Sequence, residues 1–429
     1  MSTMEHLDRL IDLRRDLHRH PEPAWREFYT TARLLEEVER IGVDELYVGA
    51  DALDVESRWA VPDEPGEIEE WVERAISSGA DAGCVRELAD GTTGLVAVLD
   101  RGEGPHIGLR VDIDALVREE STASEHTPVA EGFRSRNPGM MHACAHDGHA
   151  TIGVGVLEQI ARSDFSGRLT VCFQPAEEEA GGGRALANSG HLDDVDYFLA
   201  IHLGLGYGTG EVVAGFDDFL AVSNLTGSFH GTGAHAGSRP ETGQNALLAL
   251  STAIQNLYSI SRHSEGGTRV NVGTVSAGSA SNIIPEEASL VGEVRGSTTA
   301  LREYMKTRAS QVLEGAAAMH DCRVEFEFGP EAPSAVSDDS LAAAVRAVAE
   351  EVSGVDTIHE KATFSGSEDA TYVMEHVQER GGLAAYVGVG TDHPGGHHTA
   401  TFDIDEESIR IGVDLLTATI QRVATAGVD

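Results

Sequence analysis

Lysine is almost missing from this 429-residue chain, where Lys306 and Lys361 are the only two. With the arginines they make 31 basic residues against 71 acidic ones, a formal net charge of −40. Gripping a nucleic-acid backbone needs a basic footprint, so this balance argues against nucleic-acid binding. The acidity is not gathered in a tail. It runs through helical patterns such as residues 34–40 and 67–74. A uniform coat of one sign points to solvent adaptation. It repels itself at ordinary ionic strength, whereas molar salt shortens the screening length to roughly 3 Å. A halophilic, salt-rich cytoplasm is the expectation.

Cysteine is scarce too. Cys84, Cys144, Cys172 and Cys322 lie far apart with no disulfide-framework spacing, which fits a reducing compartment. No apolar run reaches the length of a membrane span, and the charged, helix-patterned stretch from Met1 to Leu17 does not read as a signal peptide. Hydrophobic residues make up 41% of the chain, ample for packed cores, and the length suggests two lobes.

Helical apolar spacing runs from Met4 to His20 and from Ala24 to Ile41, broken at Pro21 and Pro23. Residues 51–90 read as a polar, partly helical surface excursion. Strand-like runs follow at Gly94–Leu99, His106–Asp112, Arg168–Gln174 and Tyr197–His202, with a helix predicted over Thr151–Ala161. Strands alternating with helices imply an α/β domain with a mostly parallel sheet covered by helices, and catalytic groups beyond the carboxyl ends of its strands. From about Asp218 the order becomes strand, helix, two strands, helix, strand, the pattern of a ferredoxin-like α+β domain. After Pro333 the helix–strand alternation resumes. The expectation is a discontinuous catalytic domain of residues 1–218 and 332–429, interrupted by an inserted domain of residues 219–331.

The most informative segment is Met141-His142-Ala143-Cys144-Ala145-His146-Asp147-Gly148-His149. On an extended strand end, Cys144 and His146 project to one side and make half of a cage for Zn²⁺, Mn²⁺ or a similar ion. Downstream, Glu177, Glu178 and Glu179 follow the Arg168–Gln174 strand. Metal-assisted hydrolysis needs one carboxylate on the ion and another to act as base on water, and adjacent glutamates supply both. His202 ends the next strand, and His397 and His398 sit in a glycine-rich loop. Cys144, His146, Glu178, His202 and His398 together suffice for two ions if one group bridges.

These segments resemble the amidohydrolase branch of the co-catalytic metallo-aminoacylase and carboxypeptidase superfamily, which includes hippurate and auxin-conjugate hydrolases. The likeness spans nearly the whole chain. It is carried by Arg14-Arg15-Asp16-Leu17-His18-Arg19, the run Leu109–Leu116, the cysteine motif, Gln174-Pro175-Ala176-Glu177-Glu178, Gly233-Ala234-His235-Ala236, Ser281-Asn282-Ile283-Ile284-Pro285, Gly366-Ser367-Glu368-Asp369 and Gly396-His397-His398. Most relatives have Gly where Ala145 stands; the aminobenzoyl-glutamate branch is similar to this chain there. The resemblance implies ligands at Cys144, His146, Glu178, His202 and a C-terminal histidine, with Glu177 as general acid/base. Relatives carry that last ligand four residues before an aromatic–Asp pair. Phe402-Asp403 gives the place to His398, with His397 its competitor. Asp112 and Asp114 are expected to be structural, Asp112 supporting the ligands through hydrogen bonds.

The same resemblance implies that His235 steadies the oxyanion in the site of a partner subunit, that Asn282 contacts substrate, and that Arg295 grips a substrate α-carboxylate. The inserted domain would then act as lid and dimerisation domain, in a homodimer or with a related second subunit. The implied activity is hydrolysis of N-acyl or N-aroyl amino acids, aminobenzoyl-glutamate-like, with two Mn²⁺ or Zn²⁺ ions per subunit. The alternatives are a broader N-acyl-amino-acid deacylase or dipeptidase, or a non-catalytic partner subunit.

Overall fold

The computed structural model describes residues 3–428. The chain divides into two compact units, one of Met1–Asp217, Val336–Thr363 and Asp369–Asp429, the other of Asp218–Ala335 and Phe364–Glu368.

The first unit is built on an eight-stranded sheet in the order Glu45–Val48, Leu95–Asp100, Arg168–Gln174, His106–Asp112, Tyr197–Leu203, Leu383–Val389, Glu211–Val213, Thr357–His359. The four central strands pair in parallel, while antiparallel neighbours appear towards both edges. Central runs such as Leu169–Phe173 and Phe198–Leu203 are buried on both faces, as a parallel sheet sandwiched between helices requires. The helix His146–Ala161 is mostly apolar and almost wholly buried. It lies against the strand His106–Asp112, with the helices Thr3–Arg19 and Glu407–Ala426 beside it. Such close packing explains a glycine in mid-helix. A Cβ on Gly155 would stand 2.5 Å from Val413 Cγ2, so any side chain there would have to push the neighbouring helix away.

Residues 51–90 carry the helices Pro65–Ser77 and Ala82–Glu87. The excursion is not merely polar. Trp71, Val72, Ala75 and Val85 pack with Phe28, Tyr29 and Ala32 of the helix Phe28–Ile41 into a separate small core.

The second unit has a four-stranded antiparallel sheet in the order Thr268–Ala277, Glu287–Gly296, Ala221–His230, Arg323–Ala332. The helices Ala246–Leu257 and Thr299–Met319 share a core with Leu225, Phe229, Leu290 and Val294 of its strands. Alternation along those strands leaves Asn224, Thr226, Glu293 and Arg295 on the opposite face. No helix among the described residues is long and apolar enough to cross a membrane.

Candidate metal centre

Parallel strands bring their carboxyl ends to one edge, and the first unit's candidate residues gather there. Asp112 ends one strand beside Gln174, the end of its neighbour. His202 lies one residue before the end of the next strand and is paired with Gly388.

The cysteine motif is not a strand end, contrary to expectation. The strand there is only Met140–Met141, Ala145 takes a left-handed conformation (φ 69°), and the helix predicted from Thr151 begins at His146. Cys144 and His146 are therefore aligned by a turn into a helix rather than by strand alternation. Cys144 is 9% exposed, His146 1% and His202 4%. The Cys144 Sγ lies 3.5 Å from His202 Nε2. His146 Nε2 is 3.9 Å from carboxylate oxygens of both Glu177 and Glu178 and 3.7 Å from Asp112 Oδ1. Cys144, His146 and Glu178 present ligand atoms within 4.8 Å of one another, as do Cys144, His202 and His397.

The histidines divide by what their second nitrogen does. His146 Nδ1 contacts the Asp114 carbonyl at 3.0 Å and its carboxylate at 3.2 Å, while Nε2 is buried with no hydrogen-bond partner among the described residues. His202 Nδ1 donates to the Leu203 carbonyl at 2.8 Å, turning Nε2 towards Cys144. A ring whose far nitrogen is anchored and whose near nitrogen is left over suits a metal ligand. His149 does not suit one, although it shares a cluster with Asp112 and His146. Its Nδ1 pairs with Asp112 Oδ1 at 2.5 Å and its Nε2 accepts the Leu203 N–H at 2.8 Å, so both nitrogens are engaged.

Electrostatics point the same way. Burial, and next Glu178, push the Cys144 thiol well above its usual range. Burial, and next His149 and His397, hold His202 well below the ordinary histidine range. Burial disfavours charge on His146, but Asp112, Asp114 and Cys144 outweigh it and raise that ring. A thiol, imidazoles and carboxylates that share protons in one site fit a divalent cation, since the cation replaces those protons.

The two C-terminal histidines separate. His397 joins the Cys144–His202 side and its Nε2 lies 3.1 Å from the Leu203 carbonyl. His398, with a 55% exposed side chain and φ 59°, faces Glu178 at 3.6 Å.

Supporting contacts come from Asp112 and Asp114, expected to be structural, and from residues the sequence pattern did not single out. Asp114 accepts the backbone N–H of Glu177 at 3.1 Å and of Glu178 at 3.0 Å. Glu27, fully buried, accepts the Ala176 N–H at 2.8 Å and the Thr93 hydroxyl at 2.6 Å. Arg110 spans Asp112, Gln174 and Asp369 at 2.7 to 2.9 Å. The Asp369 carboxylate also caps Gly182 and Gly183. Backbone donors leave no side-chain signature, which is why the sequence hides what Asp114 and Glu27 hold.

The remaining candidates belong to the second unit. His235 Nδ1 accepts the N–H groups of Gly237 and Ser238, which places the ring proton on Nε2. Asn282 lies beside it, its carbonyl accepting the Ala236 N–H at 2.9 Å. Arg295 sits near the end of the strand Glu287–Gly296 and meets Glu293 at 2.8 and 2.9 Å.

Residues 108–422 match the model of Peptidase family M20/M25/M40. The chain belongs to that family. A Bacillus subtilis protein whose crystal structure is described as that of a dinuclear metal binding peptidase from the M20 family shares the fold, with a TM-score of 0.70 at 24% identity, and the donor clusters of this chain have a composition that could hold a metal ion. Over 418 residues the chain is 43% identical to the indole-3-acetyl-aspartic acid hydrolase of Enterobacter agglomerans, covering 96% of this chain and 95% of that protein. Over 415 residues it is 41% identical to one of the subunits named for the p-aminobenzoyl-glutamate hydrolase of Escherichia coli K12, with the same coverage. The crystal structure of the aminobenzoyl-glutamate utilization protein from Klebsiella pneumoniae matches with a TM-score of 0.83, at 34% identity and full coverage of both chains. The chain is an amide-bond hydrolase of this family.

Proposed function

We propose that this M20 hydrolase cleaves the amide joining an acyl or aroyl group to an acidic amino acid, with aminobenzoyl-glutamate-like conjugates preferred. The observation that carries the reading is the buried Cys144–His146–Glu178 cluster, with an orphaned His146 Nε2 in its midst. The names of two relatives above 40% identity, both hydrolases of conjugates of acidic amino acids, support the substrate class.

The ligands assigned are Cys144, His146, Glu178, His202 and His398, for two Mn²⁺ or Zn²⁺ ions. Bound there, the ions would supply Lewis-acid polarisation of the amide carbonyl and make water more acidic. Glu177 takes a proton from the attacking water and delivers it to the leaving amine nitrogen. Arg295 offers its guanidinium to the substrate α-carboxylate, and Asn282 contacts the substrate. His235, with its proton on Nε2, donates to the oxyanion in the site of a second subunit. The segment 219–331 thereby acts as lid and dimerisation domain. The second subunit is a copy of this chain or a related one, a reading supported by the Escherichia coli relative, whose name makes it one subunit of its enzyme. The acidic surface fits a halophilic cytoplasm.

Metal analysis of the purified protein, with amine-release assays on 4-aminobenzoyl-L-glutamate, indole-3-acetyl-L-aspartate, hippurate and N-acetyl amino acids, tests the reading. Two ions per chain and fastest turnover on a conjugate of an acidic amino acid are expected. Preference for simple N-acetyl amino acids would favour the broader deacylase instead. For the role of His235 in a neighbouring site, inactive His235→Ala and Glu177→Gln chains should regain activity after exchange, and no recovery despite proven exchange would refute it.

A further inference from the structure

We infer that Glu293 is a built-in competitor for the carboxylate-binding fork of Arg295, so that substrate capture is an exchange of one carboxylate for another. The inference rests on the assignment of Arg295 to the substrate α-carboxylate.

Glu293 and Arg295 are two residues apart on one strand, and alternation puts both on the face opposite the helices. Arg295 Nε meets Glu293 Oε1 at 2.8 Å and Nη2 meets Oε2 at 2.9 Å. This is the paired geometry in which a guanidinium binds a carboxylate best, and it uses the Nε–Nη2 edge completely. The other terminal nitrogen, Nη1, donates to the Ser367 hydroxyl oxygen at 3.3 Å, and that hydroxyl in turn donates to the Leu220 carbonyl at 2.6 Å. The fork is thus held in place and already filled. Across the ladder Arg295 stands opposite Arg269, and Glu293 opposite Asn271 and Asn224. Glu293 therefore offsets positive charge that would otherwise face a substrate anion unopposed.

Both side chains are about 30% exposed, 29% for Arg295 and 30% for Glu293. Water and an incoming carboxylate can therefore reach the pair, and an ion pair this exposed is weak enough to exchange. The expected consequence is selectivity. A ligand gains from Arg295 only when its carboxylate out-competes Glu293, whereas a neutral amide in the same place leaves the internal pair intact and gains nothing.

The test uses the full-length, metal-loaded protein and four forms: wild type, Glu293→Gln, Arg295→Met and the double variant. KM and kcat are measured for 4-aminobenzoyl-L-glutamate, indole-3-acetyl-L-aspartate and hippurate, and for the α-carboxamide of each. Glu293→Gln is expected to lower KM for the acids by about fivefold, the upper end for releasing a half-exposed ion pair, and to leave the carboxamides unmoved. In the Arg295→Met background the same change should do nothing. Glu293→Asp, too short to reach both nitrogens, should fall between wild type and Glu293→Gln. An unchanged or higher KM for the acids in Glu293→Gln would overturn the inference, making Glu293 a support for Arg295. An equal fall in KM in the Arg295→Met background would also overturn it, as simple charge repulsion. Failure of the underlying assignment looks different: Arg295→Met would then leave the acid-to-carboxamide discrimination of the wild type untouched. Hydrolysis of none of the acids would remove both.

Discussion

The Asp114 carboxylate receives the backbone N–H of Glu178 at 3.0 Å, so a residue outside the proposed ligand set fixes where a ligand begins. The same carboxylate takes the Glu177 N–H at 3.1 Å and touches His146 Nδ1 at 3.2 Å. One side chain thus orients the proposed base and two proposed ligands. Replacing Asp114 by Asn keeps the size but exchanges an acceptor oxygen for a donor that faces another N–H. Metal affinity should fall about 10–100-fold, the usual range for losing such support, and titration calorimetry of the metal-free protein measures it. Unaltered affinity would reduce Asp114 to a packing residue.

Neighbouring substitutions should fail in opposite ways. Glu177→Gln is nearly isosteric and removes only proton transfer, so kcat should drop by about 10²–10⁴-fold with metal content preserved. Cys144→Ser replaces the proposed sulfur ligand, which a bound ion would hold as thiolate, by a hydroxyl, and the ion should be lost or weakened first. Elemental analysis beside steady-state kinetics separates the two. Full metal content in Cys144→Ser, or near wild-type kcat in Glu177→Gln, would reassign that residue.

For the C-terminal histidines, resemblance and geometry pull apart. His398 holds the position expected of the ligand and faces Glu178 at 3.6 Å, while His397 shares the cluster with Cys144 and His202 but also contacts the Leu203 carbonyl. That carbonyl anchors His202 as well. His398→Ala should therefore cost one of the two ions. His397→Ala should keep both and loosen the His202 side, seen as weaker affinity without lost stoichiometry. The reverse pattern would make His397 the ligand.

The strands His106–Asp112 and Arg168–Gln174 were legible to the residue, because a strand buried on both faces is written as a largely apolar run. The start of the helix at His146 was not. His-Asp-Gly-His carries little helix preference, and the left-handed Ala145 that turns the chain into the helix has no sequence mark of its own. Metal-binding side chains announce themselves by residue type, so the proposed ligands Cys144, His146, Glu178 and His202 stood out. The hold of Asp114 and Glu27 on backbone N–H groups did not, since the partner in each bond is a peptide group that every residue shares. The same reason hid His149, whose motif invites a ligand role that its two occupied nitrogens refuse.

Stability should decline on the alkaline side. His18 is fully buried, with Nδ1 2.7 Å from Asp147 and Nε2 3.1 Å from Glu120. Burial and the nearby Arg14 oppose its charge, but the hydrogen bonds to the two carboxylates prevail and raise it to about 9 from 6.5. His142 packs near the ring, and His126 shares the Glu120 oxygen. A raised folded-state value contributes stability that is whole below about pH 6.5 and lost as pH climbs through about 9. Glu22 and Glu27, each raised to about 8 by burial, act in the same direction, because the folded chain keeps their protons longer than the unfolded one. Melting temperature should therefore fall between pH 7 and 9.5, and His18→Gln should flatten part of that slope. An equal slope in the variant would exclude His18 as a source.

Salt should move stability the other way from an ordinary protein's surface pairs. The helix Pro65–Ser77 shows the pattern, with Glu67, Glu69, Glu70 and Glu73 exposed, Glu70 paired with Arg74 at 2.8 Å and Glu67 with Arg26 at 2.6 Å. Exposed pairs of that kind each contribute only about 0–1 kcal/mol and weaken with salt. Against them stands the mutual repulsion of a coat that sums to −40. At about 0.1 M salt the screening length is roughly 10 Å, long enough for neighbouring carboxylates to repel across a helix face; at about 1 M it is roughly 3 Å, shorter than their spacing. Screening therefore removes more repulsion than attraction, and the folded state gains. The melting temperature should rise steadily as KCl goes from tenths of molar to molar. Matching the rise with tetramethylammonium chloride, which screens equally but does not bind carboxylates tightly, would show that screening is the cause. A melting temperature flat in KCl would mean that the acidic coat costs the fold nothing and answers to some other demand.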